Sequence, residues 1–135
     1  MKLLKITFTL CLVATTLLSN PAEKACADGD GRSCLLAGQM LVKSKHYTKA
    51  SKYYYRGCFE TLGMTKSGRP IFNFKSCASL GNLYKKGLGV KKDVQEAQML
   101  FELACASRSD RSGCPLARAY GYAPKSKRRS RLSAR

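Results

Sequence analysis

The stretch LGNLYKKGLGVKKDVQEAQMLFELAC, residues 80 to 105, has the layout of a helical hairpin. Ser76 stands where a first helix would be capped, and that helix runs to about Lys86. Gly87 and Gly89 supply the positive backbone angles that a tight turn needs. Asp93, with Glu96 three places on, has the spacing of a capping box for a second helix. Ala97, Leu100, Phe101 and Ala104 recur at helical spacing and make one apolar stripe. A lone hairpin of this size cannot bury both of its faces, so further copies are expected.

The cysteines locate them. Cys77 to Cys105 encloses the hairpin, and Cys34 to Cys58 encloses CLLAGQMLVKSKHYTKASKYYYRGC. In that register Gly38 falls on Gly81, Leu41 on Tyr84, Ala50 on Ala97 and Tyr54 on Phe101. The first copy lacks four residues at the turn, where GLGV stands in the second. A third copy starts at Cys114 with CPLARAYGY and stops after one short helix. Periods of this length mark solenoid repeats. The expected fold is therefore all-α: a short α-solenoid of antiparallel helical hairpins, about two repeats plus a terminal stub.

At the N-terminus, Lys2 and Lys5 precede the uncharged run ITFTLCLVATTLLS, the pattern of a secretory signal peptide. The expected domain plan is a signal peptide over 1–22, a repeat domain over 23–124 and a basic, disordered tail over 125–135. Within the domain, the repeats span about 26–58 and 76–114, with an insertion over about 59–75. Loss of the signal segment removes Cys11 and leaves six cysteines. An even count in a short exported chain suggests a disulfide framework, in a secreted or periplasmic setting and with no membrane span left.

Cys26 and Cys34 are eight residues apart, and Cys105 and Cys114 nine. Eight residues of continuous helix would part their Cα atoms by about 12 Å. A disulfide requires roughly 4.4 to 6.8 Å. The chain must turn between them, and ADGDGRS and ASRSDRSG carry the glycines and polar residues of turns. Cys58 and Cys77 occupy the equivalent corner around the insertion. Register thus selects the pairs Cys26–Cys34, Cys58–Cys77 and Cys105–Cys114 among fifteen pairings that six cysteines allow.

These residues resemble the Sel-like repeat, a relative of the tetratricopeptide repeat, in LG-x2-Y-x2-GLGV-x2-D-x3-A followed by FELAC. The cysteines at each corner bring the chain closer to the Helicobacter cysteine-rich proteins. The resemblance is strong over 76–114, weaker over 26–58, and fails over the insertion and tail. It implies an exported, disulfide-bridged α-solenoid. Some members of that family are classed as penicillin-binding or β-lactamase proteins, which implies a weak hydrolase of penicillin or cephalosporin amides as the alternative function.

No catalytic motif accompanies that implication. A serine β-lactamase uses Ser-x-x-Lys, and no lysine here has a serine or threonine three places before it. His46 is the one histidine, at the shortened turn of the first hairpin, where a solvated turn residue is expected. No CxxC spacing indicates a zinc or redox site. ADGDGRS lacks the third acid and the closing glutamate of a calcium loop. Neither a metal nor a cofactor is expected.

Aromatic residues and charge suggest contact surfaces instead. In YYY, residues 53 to 55, three consecutive helical positions point three ways; Tyr53 and Tyr54 are assigned to the core and Tyr55 to the surface. IFNF, residues 71 to 74, adds Phe72 and Phe74 as candidate contact residues beside Arg69 and Lys75. The net charge is +17. Setting aside two lysines of the signal segment and six basic residues of the tail leaves 17 basic against 8 acidic residues. Lys125, Lys127, Arg128, Arg129, Arg131 and Arg135 of the tail suit an anionic surface rather than a specific nucleic acid. The leading expectation is a module that binds a protein or peptide partner, as solenoids do.

Overall fold

A computed structural model of the chain describes residues 20–60, 73–106 and 113–123. They form six helices: α1 Pro21–Ala27, α2 Gly31–Lys43, α3 Tyr47–Phe59, α4 Phe74–Lys86, α5 Val94–Ala106 and α6 Gly113–Ala119. Helices α2 and α3 pack as one antiparallel hairpin, and α4 and α5 as the next. Helix α4 is central and touches α2, α3, α5 and α6. The architecture is all-α, a short solenoid of two hairpins flanked by a half-unit at each end. Helix α1 starts at Pro21, two residues before Glu23, and Ala22 is buried.

The two hairpins close on one kind of contact. A Cβ placed on Gly38 would lie 2.4 Å from Cε1 of Tyr54, and one on Gly81 would lie 2.8 Å from Cε1 of Phe101. In each hairpin a glycine of the first helix makes room for a ring of the second. Both rings are buried. Ala50, Ala97, Leu100 and Ala104 continue the apolar stripe, and all four are buried. The ring of Phe101 is covered from beyond the hairpin by Tyr122 at 5.8 Å and Tyr120 at 6.4 Å, centroid to centroid. Through these tyrosines the stub of the third unit shields the core of the second.

Caps fix where the helices start. Asp30 accepts hydrogen bonds from the backbone N–H groups of Arg32 and Ser33 at 3.2 and 3.1 Å, and also from the Ser33 hydroxyl. Its carboxyl lies below the ordinary range, chiefly because of the Ser33 hydroxyl. The DGDG turn thus caps a helix. Asp93 accepts from the N–H groups of Gln95 and Glu96 and so caps α5, but its own N–H donates to Tyr84 O at 3.0 Å rather than to Glu96, so only one half of the expected capping box forms. At α4 the expectation is corrected. Asn73, not Ser76, accepts the capping bond, and Ser76 is a buried residue of the first turn. Asn73 is chosen because it also makes tertiary bonds: its N–H donates to Gly57 O, and its side-chain Nδ2 donates to Gly31 O, each at 3.0 Å.

The two turns solve one problem differently. Gly87 and Gly89 both adopt φ of +69°. A Cβ on Gly89 would stand 2.3 Å from backbone atoms of Tyr47 and Thr48, so that turn rests directly on the start of α3. In the shorter first turn Lys45 takes the left-handed angle, at φ 61°. His46 follows it, exposed and making no side-chain cap.

Candidate functional site: a groove between the hairpins

Three disulfides define the corners. Cys26–Cys34, Cys58–Cys77 and Cys105–Cys114 have S–S distances of 2.04, 2.11 and 2.07 Å and Cα separations of 4.5, 4.8 and 4.3 Å. Each joins the second helix of one unit to the first helix of the next, the pairs that register selects. The Cys58–Cys77 bridge ties α3 to α4, which pack side by side from different hairpins. The staple thereby fixes the walls of the surface between them.

That surface is a groove of about 620 Å³. Lys49, Lys52 and Arg56 line its α3 wall. Their spacing of three and then four residues brings them to one helical face. Tyr84 and Val90, both half-buried, form the opposite wall from α4 and its turn, and the buried Leu80 lies between. Tyr55 stands at the rim, 49% exposed. Glu60 is the acid in the lining; it pairs with Arg56 at 3.4 Å. Lys49 and Lys52 are exposed and face no acid among the described residues. The groove therefore offers surplus positive charge along one wall and apolar and phenolic surface on the other.

The three tyrosines separate as their helical positions require. Tyr55 is exposed, and Tyr54 is buried and hydrogen-bonded to Ser79. Burial, with a smaller contribution from Tyr120, pushes the Tyr54 phenol up to about 12. Tyr53 departs from its core assignment: it is half-buried and hydrogen-bonded to Glu23 of α1. Its phenol is raised, first by burial and then by the Glu23 charge.

The other sequence-selected contact residues fall elsewhere. Phe72 lies outside the described residues, as does the tail with Lys125, Lys127, Arg128, Arg129, Arg131 and Arg135. Phe74 is half-buried in the first turn of α4, its backbone against Gly113 of α6. Tyr55 instead has Phe59 as its aromatic neighbour, with centroids 4.9 Å apart, and Phe59 is 42% exposed. The sequence reading missed Phe59 and the basic wall. The spacing of Lys49, Lys52 and Arg56 was the available signal.

Among the described residues no three His, Cys, Asp or Glu side chains converge as metal ligands, and no helix is long and apolar enough to cross a membrane. No family model, curated protein or solved structure matches the chain.

Proposed function

We propose that this is an exported peptide-binding module of the Sel-like repeat kind, with its ligand seated in the groove between α3 and α4. The groove itself carries the reading: its walls belong to different hairpins, are joined by a disulfide, and combine cations with phenolic and apolar surface. Such a lining suits an extended segment bearing acidic side chains and an aromatic or aliphatic anchor. A stapled groove is pre-organised, which lowers the ordering cost of binding. Three disulfides in so small a domain support an oxidising compartment, hence secretion or the periplasm. The glycine–aromatic contacts at Gly38–Tyr54 and Gly81–Phe101 support the repeat assignment.

Selection of peptides from a random library on the oxidised protein tests this directly. The selected peptides are expected to be rich in Asp and Glu and to carry an apolar anchor. Lys52→Glu and Tyr55→Ala, both at exposed positions, should each weaken their binding by about tenfold, the usual scale for an interfacial charge or tyrosine. Peptides of no common chemistry, or affinities indifferent to both substitutions, would remove the groove as the site.

A further inference from the structure

Among the described residues, lysines cluster at one edge of the fold. The turns inside the hairpins project on the side opposite the disulfide corners, and they carry Lys43, Lys45, Lys85, Lys86, Lys91 and Lys92, all exposed. Contact of Gly89 with Tyr47 and Thr48 brings the two turns together. Lys85 Nζ donates to Tyr120 O at 2.7 Å, which adds the end of α6 to the same edge. Asp93 is the acid of these turns, and its carboxylate is occupied by the first N–H groups of α5. Among the described residues none of the six lysines is in an ion pair. Among the described residues near the disulfide corners the two signs are interspersed, with Glu23, Asp28, Asp30 and Glu60 among Lys24, Arg32, Arg56 and Lys75.

We propose that the turn edge docks the domain on the phosphate-bearing face of an anionic lipid bilayer, through a surface separate from the groove. Three features favour a bilayer over a nucleic acid. The cations sit on projecting turns rather than in a channel that could track a strand. All are lysines, flexible point charges suited to diffuse headgroup charge, without the planar fork that arginine offers a single phosphate. The rings near the edge, Tyr47, Tyr84 and Tyr120, are half-buried, whereas the exposed Tyr55 and Phe59 stand toward the disulfide end of α3, so among the described residues no exposed ring serves base stacking there.

The experiment measures partitioning of the full-length oxidised protein onto vesicles of equal parts phosphatidylserine and phosphatidylcholine, with heparin as the soluble polyanion. The triple variant K86Q/K91Q/K92Q is compared with K24Q/R32Q/K75Q, which loses the same charge at exposed positions away from the turns. Near an anionic membrane the loss of three lysines should weaken partitioning of the turn variant by roughly 100-fold or more, while the control changes by less than about threefold. Equal losses in the two variants, no loss in either, or binding to heparin without binding to vesicles would each overturn the proposal.

Discussion

Reduced protein is expected to lose most of its helical circular dichroism at 37 °C, while oxidised protein retains it. The magnitudes are decisive. In the chain-entropy description, a bridge closing about nine residues contributes roughly 2.6 kcal/mol, and one closing about twenty roughly 3.3 kcal/mol. The observed separations are 8, 19 and 9 residues. Together the three bridges contribute about 8 kcal/mol as an upper figure, comparable to the whole stability of a small domain, about 5 to 15 kcal/mol. The interior explains the dependence. Much of it is alanine, glycine and cysteine, with Leu80, Leu83, Leu100, Tyr54 and Phe101 as the large buried side chains. Titration with a strong reductant, followed by far-ultraviolet dichroism, reads the effect. Full helicity after complete reduction would mean that the apolar stripe alone holds the solenoid.

Phe101→Ala should be the most damaging single truncation in the oxidised protein, costing about 3 to 5 kcal/mol. The ring is 4% exposed, fills the space left by Gly81, and is the surface on which Tyr120 and Tyr122 pack. Its loss opens a cavity and also uncouples the last unit from the second hairpin. For a domain of this size the midpoint of thermal unfolding should fall by at least about 12 °C. Tyr55→Ala, at an exposed position on the groove rim, is the matched control and should stay within about 0.5 kcal/mol of the parent. A Phe101→Ala midpoint equal to that of the control would contradict the packing described.

The hairpins were legible in the sequence because their determinants are local and repeated. A glycine at one position and a ring sixteen or twenty residues later specify a close helix pair, as Gly38–Tyr54 and Gly81–Phe101 do. Cysteine register was legible for the same reason. What escaped notice depends on juxtaposition. Asn73 and Ser76 are both good capping residues, and the choice rests on bonds from Asn73 to Gly31 and Gly57 that no local pattern encodes. Lys45 takes a turn angle usually left to glycine because the first turn is too short for the GLGV solution. Phe74 looked like a surface ring from its neighbours, but α6 returns across the start of α4. The groove needs α3 and α4 side by side, so its basic stripe had no visible opposite wall until the hairpins were packed. Likewise, the lysines of two turns form one edge only because Gly89 rests on Tyr47 and Thr48.

The groove and the turn edge both depend on each disulfide joining one unit to the next. Non-reducing peptide mapping by mass spectrometry tests that claim most directly. Peptides linked through Cys26–Cys34, Cys58–Cys77 and Cys105–Cys114 are expected. A bridge between Cys34 and Cys58, or between Cys77 and Cys105, would close each hairpin on itself, leave α3 unstapled to α4, and contradict that claim.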